Sequence, residues 1–369
     1  MTNKLQSPDT GEMSGWAVLR RRDALDYFIT AGLPGPLKTL LSGALTALTG
    51  VAPTATGGTP LWTSSVLRAL LYMLLTLGAG LWMIARGDPA AKLAGALAVV
   101  SAMRNFTSGV GHHLTHSTAQ LPFSARWTRG GYNVLSALLL LPSFEAYRKD
   151  HGVHHGKVAG AEDPDQQFIE YLQTKLTGWG AFLRTVFDPR FHARFLIARL
   201  RASIGSGPVW RRMLAVTGIL VVAALPGTAA APWLLALTLG YQTASIMSWL
   251  SLHLWGARPE SGRPAEIATA VTFGRLLIPE ASFRGAAMLP VYALARALWL
   301  QGDLVNHDLH HLGKGPWTDA PYVRTRLLLA DTPLRQTVTV RDMFRVAFDA
   351  AGKKPARRAE MSDGSMLEM

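Results

Sequence analysis

An all-α integral membrane protein is the fold class this sequence predicts, on three observations. Only 17% of residues are charged against 49% hydrophobic, with a mean hydropathy of +0.17, whereas soluble domains carry about a quarter charged residues. Long apolar stretches reach the roughly 20 residues that a helix needs to cross a bilayer. The basic residues are distributed so that those stretches take one orientation.

The first span is read at 64–85, "SSVLRALLYMLLTLGAGLWMIA". After the break "RGDP", residues 90–111 form a second span that runs directly into "HHLTH". Residues 213–256 are one apolar run interrupted by Pro226-Gly227, too long for a single span and therefore a helical hairpin. About four transmembrane helices in two hairpins result, with a cytoplasmic helical cap. Two shorter apolar stretches, 37–51 and 131–144, read as interfacial or re-entrant helices.

Lys and Arg number 5 in residues 1–62, 13 in 111–212 and 15 from 255 onward, which is 33 of the 37. The short connections near 86–92 and 226–232 carry only Arg86 and Lys92. By the positive-inside rule both termini and the long segments face the cytoplasm; the membrane expected is the cell inner membrane. Three regions follow: a cytoplasmic N-terminal region at 1–62, a membrane domain at 63–330, and a C-terminal cytoplasmic tail at 331–369, disordered at its end. The first dozen residues also read as disordered, and the N-terminus lacks the pattern of a signal peptide.

The chain has no cysteine, which excludes disulfides, thiolate metal sites and cysteine nucleophiles. Any metal must sit on His, Asp or Glu. The net charge of +13 is scattered among Leu, Ala and Trp rather than gathered in a polar basic domain. That pattern matches attraction to anionic membrane lipid and not to nucleic acid.

Eight of the 11 histidines form one i, i+4 pair and two triplets. His112 and His116 are related by i, i+4 in "HHLTH"; His151, His154 and His155 form "HGVHH"; His307, His310 and His311 repeat that spacing in "HDLHH". Residues three and four apart share a helix face, so each triplet presents three imidazoles from little more than one turn. A single histidine near a membrane interface is ordinarily a hydrogen-bonded or surface residue. Two triplets and a pair on one predicted side of the bilayer point to metal, because neutral imidazole suits iron, zinc, copper and nickel. Eight ligands exceed the three or four of one tetrahedral zinc, and two ions of higher coordination account for them better. Asp163, Asp165, Asn306 and Asp308 are candidates to accept the other ring N–H of these histidines, although Asp163-Pro164-Asp165 is also an ordinary turn sequence.

With those boxes in order, the chain resembles the integral-membrane fatty acid desaturase superfamily, whose signature is three histidine boxes. "YRKDHGVHHGKVAGAEDPD" is similar to the second box with its trailing Asp-Pro-Asp, and "NHDLHHLGKGPWTDAPY" resembles the third. The resemblance covers roughly residues 60–330. It implies a di-iron centre with O2 as co-substrate, and it adds His253, in "SWLSLHLWGARPE", to the ligands. Two departures stand out: Trp249 occupies a position where related acyl-CoA desaturases have Asn, and the first box is one residue shorter than theirs. His113, which points about 100° from His112 on an ideal helix, reads as structural or as a support to the ligands, and His192 as a surface residue.

The activity so implied is attack on an unactivated C–H bond of a lipid-like or acyl substrate, giving a fatty acid desaturase. A hydroxylase or another C–H oxidase of the same superfamily is the alternative, and a histidine-rich metal transporter or sensor is the alternative of another class. Transport ligands, however, lie near the midplane of the spans rather than at their ends. A haem held by two histidines would want them on facing mid-span helices. With no fused haem or flavin segment, electrons must come from an external donor such as ferredoxin with its reductase, an acidic carrier that would suit the basic face. Trp249, Trp255 and Trp299 read as either channel walls or interfacial anchors.

Overall fold

The structure, a computed structural model, describes residues 33–41, 66–115, 125–157, 162–205, 207–224, 226–252, 275–277, 283–299, 301, 336–338, 344 and 348. Apart from connecting turns, these are helical, with one pair of three-residue strands. The longest described helix, α1 (Val66–Arg86), is joined by a tight turn to α2 (Pro89–Arg104), and the two pack closely side by side. Asp88 starts α2 by accepting a hydrogen bond from the Ala91 amide at 2.8 Å, and Pro89, which lacks an N–H, takes the first helical position. Glycine allows the close crossing: a Cβ on Gly95 would lie 2.7 Å from the Gly80 carbonyl oxygen, and one on Gly80 would lie 2.9 Å from that of Gly95. Close backbone approach through small residues is how helices associate where lipid surrounds them.

Beyond Arg104 the helix widens into a π-helical segment (Asn105–Gly111) and then resumes as α3 (His112–Thr115). The local cause is in "RNFTSG". Thr107 and Ser108 donate side-chain hydrogen bonds to the Arg104 carbonyl, and Thr107 also reaches Met103. Hydroxyls that bond back to earlier carbonyls compete with the regular helical ladder. Asn105 meanwhile donates to the Ala69 carbonyl of α1 at 2.5 Å.

Helix α4 (Ala125–Leu138) lies where the sequence predicted an interfacial or re-entrant element, and it packs on α9 (Val209–Ala224). It ends in a Schellman turn, in which the Leu141 amide reaches the Ser136 carbonyl and the Leu140 amide that of Ala137. Leu140 takes the left-handed position with φ 56°, where glycine is usual. Pro142 follows, and Ser143 starts α5 (Phe144–Lys157) by accepting from the Ala146 amide at 3.2 Å. Asn133 secures the same corner by accepting from the Phe144 amide and donating to Glu145.

The chain continues through α6 (Pro164–Lys175), α7 (Trp179–Val186) and α8 (Pro189–Gly205) to α9. The expected break at Pro226-Gly227 is present: α10 (Gly227–Leu235) starts there, passes through a second π-helical segment (Ala236–Gly240) and continues as α11 (Tyr241–Leu252). Gly240 lies against α2, where a Cβ would meet Val100 at 2.5 Å. Strand β1 (Arg275–Leu277) pairs in parallel with β2 (Gln336–Val338), and α12 (Phe283–Ala287) and α13 (Leu289–Leu298) lie between them in sequence. Phe344 and Phe348, from the C-terminal region, pack on Trp179.

The core lies around α2 and its π-helical continuation, where Val99, Ala102, Met103 and Phe106 are fully buried. Gln301, just beyond α13, donates to the Ser101 carbonyl at 2.7 Å, and Ser101 in turn donates to Ala297. Among the described residues one stretch, Ala69–Arg86, is long and apolar enough to cross a membrane.

One expectation is corrected. His192 is buried, not on the surface: its Nε2 is 2.5 Å from the Val186 carbonyl at the end of α7, beside Phe191. A basic neighbourhood in sequence does not reveal that the first turn of α8 folds back onto the preceding helix.

Candidate metal centre

Two segments remote in sequence bring three imidazoles together. His112, on the turn that follows the π-helical segment, meets His151 and His155 on α5, and one ligand nitrogen from each lies within 4.8 Å of the others. The His151 ring is the hub. Its centroid is 4.7 Å from that of His112 and 4.5 Å from that of His155, in both cases edge to face. A metal–imidazole bond of about 2.0–2.1 Å places ligand nitrogens on one ion about 3–4 Å apart, so this donor set fits a metal ion with small side-chain adjustments.

The helix beneath holds His151 from behind. Tyr147, one turn earlier on α5, stacks on the His151 ring with centroids 5.8 Å apart and planes 6° from parallel. Burial pushes the Tyr147 phenol well up, with Asp165 adding to the rise and Arg104 opposing it. It is a neutral supporting ring at any physiological pH. Gly111 leaves the room for this support, since a Cβ there would meet the Tyr132 hydroxyl at 3.0 Å and the Tyr147 ring at 3.2 Å.

His154 is aimed differently. It is buried, and its Nδ1 lies 2.9 Å from Oδ1 of the buried Asp163 and 3.7 Å from Oδ2 of Asp165. Burial alone would lower the His154 pKa, but Asp165 and Asp163 outweigh it and hold the ring above its ordinary value. A carboxylate on Nδ1 keeps the proton there and leaves Nε2 as the atom with a lone pair for a cation. Asp163 also accepts from the Asp165 amide at 3.0 Å and so starts α6, with Pro164 in the first helical position. One side chain thus both starts the helix and meets the His154 ring. Asp163→Ala is expected to cost about 2–4 kcal/mol, combining the lost cap with the lost buried partner of His154. Asp163→Asn should cost less, and thermal unfolding of the purified protein measures both.

Asp165 accepts a hydrogen bond from the Trp249 indole N–H at 3.1 Å. Trp249 is thus engaged with a polar partner near the histidines, and Trp299 is buried in the core. His116, His253, His307, His310, His311, Asn306, Asp308 and Trp255 lie outside the described residues, as does the side chain of His113. Sequence reasoning missed Tyr147 as the support of His151 and the π-helical segment as the device that aims His112. The i, i+4 relation of Tyr147 and His151 and the hydroxyl-rich "NFTSG" were the available signals.

The family model for fatty acid desaturase matches residues 89–283, more than half of the chain. The matched region takes in the first two histidine clusters and stops before His307. No curated protein and no solved structure matches the chain. The convergence of two histidine boxes inside a matched region of that length places the chain in the fatty acid desaturase family, a family of oxidoreductases.

Proposed function

We propose that this protein is a membrane-bound, non-haem di-iron, O2-dependent desaturase that introduces a C=C bond into an acyl chain. The observation that carries the reading is the meeting of His112, His151 and His155 within a chain of the desaturase family. The ligands proposed are His112, His116, His151, His154, His155, His253, His307, His310 and His311. Three features support the undescribed ones. Helix α11 is described as far as Leu252, next to His253 in sequence and three residues after Trp249, which is bonded to Asp165. Gln301, tied to Ser101 on the helix that leads to His112, precedes His307 by six residues. The third triplet repeats the spacing of the second.

Iron held by these histidines would supply O2 activation and removal of hydrogen from an unactivated C–H bond. The chain's own residues do the rest. Asp163 and Asp165 hold His154, Tyr147 backs His151, and the π-helical segment aims His112. Neutral imidazoles let cations sit at a span end without a matching set of buried carboxylates.

Two apolar hairpins with cytoplasmic histidine clusters, in the inner membrane, would admit a lipid-like acyl substrate between helices. An external donor such as ferredoxin with its reductase would supply two electrons. The test is metal content per chain in detergent-purified protein, with His155→Ala and His310→Ala alongside, followed by product analysis on candidate acyl lipids. About two irons, lost in the variants, is expected by the ligand count. Zinc, or mixed metal indifferent to both substitutions, would sink the oxidase reading in favour of transport or sensing.

A further inference from the structure

Resting on the metal-centre reading above, we propose that Trp249 is a positioning residue for the second histidine triplet. Its indole N–H holds Asp165 in place and thereby helps to fix the His154 ring. The indole has a single donor and no acceptor, and that donor is spent on Asp165 Oδ1 at 3.1 Å, across 84 residues of sequence. The other oxygen of Asp165 lies 3.7 Å from His154 Nδ1, beside the 2.9 Å contact of Asp163.

Two carboxylates therefore share one imidazole edge, and they are held by different means. Asp163 is fixed by its place at the start of α6. Asp165 is steered by the indole. Phe168, one turn along α6 from Asp165, meets the Trp249 ring at a centroid distance of 4.2 Å, so the same helix face presents both the acceptor and an aromatic rest. A wall of a substrate channel or an anchor at the lipid interface would use the ring and leave the N–H to water. Here the N–H is directed to a carboxylate beside a proposed ligand.

The contact also joins two ligand-bearing segments. Trp249 is on α11, four residues before His253 in sequence, and Asp165 is on the helix that follows the second triplet. Without the indole N–H, Asp165 would keep its charge but lose one of the contacts that aim it. It could then draw His154 off line or bind metal itself.

The experiment compares Trp249→Phe, which keeps the ring and removes the donor, with Trp249→Gln, which keeps a donor and removes the ring. Iron(II) affinity of the detergent-purified full chain is measured anaerobically by competition with a chelator. Trp249→Phe is expected to bind iron about 10–100-fold more weakly, with Trp249→Gln within about threefold of the parent, because lost outer partners of ligands cost that range. In an Asp165→Ala background, Trp249→Phe should add nothing further, as expected for two residues acting through one contact. An unchanged affinity in Trp249→Phe, equal losses in the two variants, or additive losses with Asp165→Ala would overturn the proposal.

A second readout separates this idea from the one on which it rests. In metal-free protein, the 15N-labelled Trp249 indole should exchange its proton slowly and lose that protection in Asp165→Ala. Fast exchange in the parent would overturn the proposal without touching the metal centre. Iron that survives His151→Ala would instead overturn the metal centre, whatever the indole does.

Discussion

His151→Ala is expected to yield a folded protein that binds no iron at this position and has lost activity by more than about 100-fold, the upper end of the cost of losing an outer partner of a ligand. The reason is the place of His151 in the cluster. Its ring touches those of both His112 and His155, is 6.0 Å from that of His154, and rests on Tyr147. Removing it separates the α5 donors from the donor after the π-helical segment. Fold should survive, because the ring lies at the site and not among the fully buried core residues. His192→Ala is the matched control: it removes a buried, hydrogen-bonded histidine outside the cluster, costs about 1–3 kcal/mol of stability, and should leave iron unchanged. Iron content and turnover on the same preparations distinguish the two outcomes. Equal loss of iron in both variants would mean that metal loading follows general stability and not this cluster.

Arg211→Ala is expected to be the most destabilising substitution among the described residues outside the site, by about 3–5 kcal/mol, with a matching fall in unfolding temperature. Arg211 is fully buried. Its guanidinium donates to the Ser203 carbonyl near the end of α8, to the Leu141 carbonyl in the turn after α4, and to the Ser136 hydroxyl at 3.3 Å. Those partners surround the corner at which Leu140 adopts its left-handed conformation, a geometry that costs a residue with a side chain roughly 1–2 kcal/mol. The clamp and the two turn hydrogen bonds hold the strained residue, and that corner sets the direction in which α5 carries His151, His154 and His155. Arg211→Lys keeps the charge but not the fork of donors, so it should recover only part of the loss. Iron affinity should fall alongside stability in Arg211→Ala, whereas in His151→Ala iron is lost with the fold retained.

The two kinds of expectation divide along a physical line. Signals carried within one or two turns of helix were legible in the sequence. The break at Asp88-Pro89, the turn at Asp163-Pro164, the break at Pro226-Gly227 and the face shared by His151 and His155 all depend on neighbours fewer than five residues apart. Helical spacing alone determines which imidazoles can share a face. Histidine clusters with no cysteine in the chain likewise restricted any metal chemistry to imidazole and carboxylate ligands.

Contacts between distant segments were decided by packing. Spacing could not say that His112 would be delivered to His151 by a widened helical turn, because an ideal helix was the only geometry from which to count. Nor could it say that His192 would be buried against Val186, that Trp249 would find Asp165 across 84 residues, or that Arg211 would close the corner before the second triplet. A side chain's local sequence fixes its direction on its own element. Its partner depends on which other element the apolar core has drawn alongside, and only the tertiary structure decides that.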